Sequence, residues 1–198
     1  MVWPVERFAS HRAVASITIV VAAGEEDRVG RMMAGAGLTR VGRIVTGGST
    51  RQQSVALGLQ TLGDSSEKVL VHDAARPCLS DDLINRILGA LQESSAVVPA
   101  VPSVDTLIHE HDGTVNAIVD RVWVRGVQTP QGFDTGLLVR AHRQAASRGF
   151  ESSDDASLVY ALQETVRVVP GERTNIKVTL PEDLQIAEAI LRSRHGKS

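Results

Sequence analysis

The feature that most restricts this chain is an alternation that recurs along it. Short, uninterrupted apolar runs rich in β-branched residues each lead into a polar or glycine-containing loop and then into a stretch of helical periodicity. The first run is Ile17 to Val21, bounded by Gly24, and Val41 to Val45, Lys68 to Val71, Ala96 to Val101 and Val166 to Val169 repeat it. Helical stretches are expected at about Glu25 to Ala36, Thr50 to Leu62, Ser80 to Leu91, Asp134 to Ser147, Asp154 to Leu162 and Pro181 to Arg192, with a further strand-like segment at Asn175 to Thr179. Strands without a polar face must be covered on both sides, and parallel strands need helical crossovers to connect them. The pattern therefore predicts an α/β fold: a mostly parallel, Rossmann-like sheet with helices on both faces.

Between Pro102 and Val124 the periodicity changes. Thr106, Ile108 and Glu110, then Val115, Ala117 and Val119, alternate around His111-Asp112-Gly113, and Asp-Gly is a strong hairpin signal. Residues 102–124 are read as a β-hairpin arm projecting from the sheet. No repeat, low-complexity tract or long linker interrupts the 198 residues, so residues 1–198 are expected to form one domain.

Composition narrows the function. A net charge of −2 and a pI near 6.3 give no electrostatic reason to expect a nucleic-acid or membrane-surface partner, and no apolar segment is long enough to span a bilayer. Arg7 and Arg12 before the apolar run Ala13 to Ala23 superficially resemble a secretory signal, but the β-branched core of that run reads as a buried strand. The single cysteine, Cys78, excludes a disulfide framework and fits a reducing cytoplasm, as a small buried residue.

In parallel sheets, ligands bind beyond the carboxyl ends of the strands. At Gly47 to Ser54, two glycines precede a helix N-terminus, with Thr50 and Gln53 at capping-box spacing. This suits close approach of a nucleotide or phosphate, or is simply a turn and a cap. At Val71 to Pro77, Asp73 offers a metal-capable carboxylate with Arg76 three residues on, unless the two form a structural pair. Lys177 interrupts an apolar stretch, either snorkelling to solvent or neutralising an anion. His109 and His111 alternate near the hairpin tip without a third ligand and read as solvated surface.

Taken in order, Gly47-Gly48 with Arg51 and Ser54-Val55, Val-His-Asp-Ala-Ala-Arg-Pro at 71–77, Val119-Asp120-Arg121, Gln128-Thr129-Pro130-Gln131, Ser153-Asp154-Asp155-Ala156-Ser157, Asn175-Ile176-Lys177-Val178-Thr179 and Pro181-Glu182-Asp183-Leu184 closely resemble the 2-C-methyl-D-erythritol 4-phosphate cytidylyltransferase family. The resemblance runs from about residue 5 to the last helix, and the Ala-Ala of the second motif favours this family over the related ribitol 5-phosphate cytidylyltransferases. It implies a nucleotidyltransferase fold and transfer of a cytidylyl group from CTP, with Mg2+, to methylerythritol phosphate. By resemblance Gly48, Ser54, Asp73 and Ala74 meet the nucleotide, Asp73 also the metal. Arg76, Thr106, Arg121, Thr129, Ser153 and Lys177 then hold the acceptor, with Arg121 and Lys177 as the catalytic cations. The hairpin becomes an arm that embraces a second subunit of a homodimer, so that Thr106 and Arg121 serve the partner's site.

One departure stands out. Family members begin with a strand ending in a glycine-rich loop that carries an arginine and a lysine around the triphosphate, and no such segment occurs here. Ala22-Ala23-Gly24 cannot replace it, because Glu25, Glu26 and Asp27 would repel phosphate. The chain is therefore expected to be N-terminally truncated relative to the family and weakly active or inactive. A non-catalytic dimerising remnant is the alternative from another functional class.

Overall fold

A computed structural model describes residues 2–62 and 66–195. Its elements are α1 (Val2–Ser10), β1 (Ile17–Val21), α2 (Glu26–Gly35), β2 (Val41–Thr46), α3 (Arg51–Leu59), β3 (Lys68–Val71), α4 (Asp81–Ala90), β4 (Ala96–Pro102), β5 (Leu107–His111), β6 (Thr114–Val119), β7 (Arg125–Val127), β8 (Gln131–Asp134), α5 (Thr135–Arg148), α6 (Asp155–Tyr160), β9 (Arg167–Pro170) and α7 (Pro181–His195). Local chemistry sets several of these boundaries. The hydroxyl of Ser80 accepts from Leu83 N–H to open α4, and Gly149 at φ 61° closes α5. Asp112 and Gly113 both have positive φ, as a tight hairpin turn between β5 and β6 requires.

The sheet is mixed, which corrects the expectation of a mostly parallel one. β1 and β2 form a separate parallel pair, and in the five-stranded sheet β4 and β9 are parallel while β8 runs antiparallel between β3 and β4. β7, antiparallel to β4, precedes β8 along the same edge. Neither β7 nor β8 was expected. β8 is four residues long with one large apolar side chain, too short for a periodicity signal. Its sequence is nevertheless tightly constrained: Phe133 is fully buried, contributing about 1.5–3 kcal/mol, and a Cβ at Gly132 would lie 2.7 Å from both Ile87 and Leu91, at the end of α4.

Helices do cover both faces. Ala96 and Val98 of β4 join Phe133, Leu138 of α5 and Val159 of α6 in one cluster, while the intervening Val97 joins Leu83, Ile84 and Ile87 of α4 in the other. The segment Asn175 to Thr179 is not a strand. Ile176 and Val178 pack beside Cys78, Ala187 and Leu191, and Val178 N–H donates to the Ala75 carbonyl at 2.8 Å.

Among the described residues no backbone ladder joins the β1–β2 pair to the larger sheet. Two helices link them through side chains. In α1, Val5 packs with Ile19 and Val21 of β1, whereas Phe8 packs against the α4 cluster and meets the His72 ring edge-on at 5.5 Å. In α3, Leu59 enters the central cluster, while Gly58 lies against Val20, where a Cβ would come within 3.0 Å.

Candidate active site

The loop after β2 folds back over the start of α3. Ser54 Oγ accepts from Gly48 N–H at 3.1 Å and donates to the Thr50 carbonyl at 2.9 Å, and Thr50 Oγ1 accepts from Gln53 N–H at 3.1 Å. The reciprocal arm of the capping box is displaced by one residue, since Gln53 Oε1 accepts from Ser49 N–H at 2.9 Å instead of from Thr50. This wrapping leaves no room for side chains: a Cβ at Gly47 would lie 2.6 Å from Ser54 Oγ, and one at Gly48 would lie 2.4 Å from Gln53 Cβ. Gly48 itself is exposed, so its backbone can be approached from solvent.

Asp73 follows β3 and is held from three directions. Its N–H donates to Thr129 Oγ1 at 3.0 Å, its Oδ1 accepts from Arg51 Nε at 3.0 Å, and its Oδ2 lies 3.3 Å from Lys177 Nζ. Lys177 reaches this position because Val178 N–H is bonded to Ala75 O, which lays the 175–179 segment beside the Asp73 loop. Burial alone would raise the Asp73 carboxyl pKa, but the charge and hydrogen bond of Arg51, followed by those of Lys177, hold it below the usual value. Ala74 is exposed next to it.

The structural partner of Asp73 is thus Arg51, not Arg76. Arg76 spends its guanidinium on backbone carbonyls, Asn175 O at 2.8 Å and Val127 O at 3.5 Å, and burial lowers its pKa. Thr129 is 4% exposed. Burial pushes His72 down to about 4, so the ring is neutral; its Nε2–H donates to the Arg76 carbonyl at 3.0 Å, leaving Nδ1 to accept from the Thr129 hydroxyl at 3.2 Å. The hydroxyl of Thr129 is therefore committed inward, to Asp73 and His72.

Ser153 is exposed in the loop before α6. Gln52 ties this loop to α3, accepting from Ser152 N–H at 3.0 Å and donating to the Phe150 carbonyl at 3.1 Å. Thr106 and Arg121 lie instead at the base of the arm, where Arg121 donates to the Val104 carbonyl at 2.5 Å and lines an open cleft with Pro102, Val122 and Arg125. Among the described residues no hydrogen bond or ion pair connects these two to the Asp73 cluster. His109 and His111 are exposed, and no group of three or more metal-ligating side chains occurs among the described residues.

Sequence reasoning gave no role to Arg51, Asp155 or His142. Arg51 Nη1 lies 2.8 Å from Asp155 Oδ2, and His142 Nε2 lies 3.0 Å from Asp155 Oδ1. One signal was available: a cation at the first position of α3 opposes the helix dipole, so Arg51 needed carboxylate partners.

The family model for IspD, 2-C-methyl-D-erythritol 4-phosphate cytidylyltransferase, matches residues 1–193. Among proteins of that description, the one from Thermus thermophilus is 48% identical over 149 residues, covering 75% of this chain and 69% of that protein. The one from Synechocystis is 44% identical over 157 residues, covering 79% of this chain and 68% of its own length. The crystal structure of the cytidylyltransferase from Thermus thermophilus superposes with a TM-score of 0.83 at 42% identity, over 96% of this chain and 87% of that one. With its fold, its ordered motifs and the match over nearly all its length in agreement, this chain belongs to the 2-C-methyl-D-erythritol 4-phosphate cytidylyltransferase family.

Proposed function

We propose that the site transfers a cytidylyl group from CTP to 2-C-methyl-D-erythritol 4-phosphate, releasing pyrophosphate, in the non-mevalonate route to isoprenoid precursors. The observation that carries this reading is the meeting of Asp73 and Lys177 at 3.3 Å beside an exposed Ala74. A phosphate oxygen of the acceptor forms a bond to the α-phosphorus of CTP, and the bond from that phosphorus to pyrophosphate breaks. Two anions must approach, so the residues needed are cations and donors that offset repulsion and fix geometry. Lys177 and Ser153 meet the acceptor phosphate, with Arg121 and Thr106 supplied by the arm of a second subunit. Gly48 and Ser54 receive the cytosine and ribose, while Thr129 and Arg76 hold the Asp73 loop and the Asn175 segment in place.

Asp73 offers a single carboxylate, which fits an ion that takes its other ligands from phosphate oxygens and water, as Mg2+ does. When bound, Mg2+ neutralises charge on the triphosphate.

Dimerisation through the arm is supported by its exposed apolar side chains. Val104 (55%), Val115 (55%), Ile118 (75%), Val122 (62%) and Trp123 (84%) are all exposed along the arm. We place the protein in the cytoplasm on the free, buried thiol of Cys78; no helix of the described residues is long and apolar enough to cross a membrane.

A second reading is a non-catalytic dimerising protein, favoured by the acidic character of the turn after β1. The Ala22–Gly24 turn does not serve as a triphosphate loop, because Arg28 there is paired with Glu25, and Glu26 accepts from Thr46. Pyrophosphate release with CTP, Mg2+ and methylerythritol phosphate, with ribitol 5-phosphate as a parallel acceptor, tests all three readings. Release with methylerythritol phosphate supports the first, preference for ribitol 5-phosphate reassigns the acceptor, and silence from folded dimer favours the non-catalytic protein.

A further inference from the structure

Behind Asp73 lies a chain of contacts that the transfer reaction does not use directly. His142 of α5 donates Nε2–H to Asp155 Oδ1 at 3.0 Å, Asp155 Oδ2 lies 2.8 Å from Arg51 Nη1, and Arg51 Nε donates to Asp73 Oδ1 at 3.0 Å. The Asp155 and His142 side chains are 1% and 5% exposed, and His142 Nδ1 has no partner among the described residues. Desolvating such charges costs several kcal/mol, and an apolar trio of similar volume stabilises a fold as well or better. Arg51 also sits at the positive end of the α3 dipole, which adds to the cost. The arrangement achieves a fixed geometry. A planar guanidinium uses Nε and Nη1 in different directions, bridging carboxylates that leave β3 and open α6, and an ammonium cannot reproduce this fork. Asp73 Oδ1 is thereby committed, and Oδ2 is turned toward Lys177, whose side chain is 46% exposed.

We propose that Arg51, pinned by Asp155 and His142, is a positioning residue that orients Asp73 for the metal-bound nucleotide. The inference rests on the reading of Asp73 as a nucleotide and metal ligand. The bond network fixes one carboxylate oxygen on Arg51 and turns the other toward the half-exposed Lys177, the side from which a ligand can approach. A fold strut and a positioning device differ in what their loss affects: a strut weakens every property of the site, whereas a device that aims Asp73 weakens the magnesium-dependent part of binding.

Calorimetric titration of CTP into the full 198-residue chain, in magnesium and separately in EDTA, makes that distinction, with thermal unfolding measured alongside. Arg51→Lys and Asp155→Asn are expected to weaken CTP binding in magnesium by about tenfold or more, the scale of outer-shell losses at metal sites, with a much smaller change in EDTA. The double variant should lose no more than the worse single variant, because both act through one contact. His142→Gln, which keeps a donor near the Nε2 position, should retain more affinity than His142→Ala. Equal losses in both buffers, or unchanged affinity in Arg51→Lys, overturn the proposal, and Arg51→Lys alone decides if Asp155→Asn does not fold. Wild-type chain that takes up CTP in neither buffer overturns this inference and the functional reading together. Wild-type binding with variant losses that ignore magnesium overturns this inference alone.

Discussion

Lys177 Nζ lies 3.3 Å from Asp73 Oδ2, joining the loop after β3 to a segment near the end of the chain with no ladder between them. The lysine stem is half exposed while the aspartate is largely covered, so the pair presents its cation to solvent. Lys177→Ala removes that cation and leaves Asp73 paired to Arg51. Methylerythritol phosphate binding, followed by calorimetry, is expected to weaken by about tenfold or more, on the scale of a charge-assisted hydrogen bond, with little change in unfolding temperature. Unchanged binding would remove Lys177 from the acceptor site.

Gly48→Ala should damage the nucleotide loop, because its Cβ would lie 2.4 Å from Gln53 Cβ. A loss of about 1–3 kcal/mol in stability is expected from overpacking, together with loss of CTP binding. Gly30→Ala is the matched contrast: its Cβ would meet only Ile44 Cδ1 at 3.7 Å, within the body of α2. That change should stabilise by about 0.5–1 kcal/mol. Urea denaturation of both variants checks the pair.

Stability should fall in mild acid because His72 is largely desolvated and neutral, with its pKa pushed down to about 4 from an ordinary 6.5. The unfolded chain binds this proton first as pH falls. The contribution is therefore fully present above about pH 6.5 and is lost between there and about pH 4, amounting to on the order of 3 kcal/mol. His72→Gln should flatten the urea midpoint across that window. A wild-type midpoint independent of pH across the same range would count against a neutral ring at this position.

Trp123→Ser should shift the protein from dimer to monomer in light scattering, since Trp123 is 84% exposed at the base of the arm. Ile118→Asp, on the arm itself, should do the same. A wild-type chain that is already monomeric at micromolar concentration would refute arm-mediated pairing.

The strands and helices that bury a continuous apolar face were legible in the sequence. Lys68 to Val71 forms a strand as expected, and the helices near Ser80 and Asp134 start within a residue or two of their expected positions. β8 was not legible, because a four-residue strand with a glycine for α4 to rest on carries no period to read. In the site, the order of motifs pointed to Asp73 and Lys177, which the fold does bring together. It could not show that Thr129 turns its hydroxyl inward, that Arg76 serves carbonyls, or that Arg51 links two acids. These depend on which loops lie side by side, a matter of tertiary contact that local spacing does not encode.

Among the described residues no ladder joins the β1–β2 pair to the five-stranded sheet, and this gives the molecule a seam. Side chains of α1 and α3 bridge it, so β1, β2 and α2 are expected to open more readily than the core around Phe133. Amide protons of β1 and β2 should exchange sooner than those of β4. Gly47 and Gly48 extend from the looser side, whereas Asp73 and Lys177 belong to the firmer one. A nucleotide that touches both sides spans the seam, and by mass action its binding free energy becomes resistance to opening.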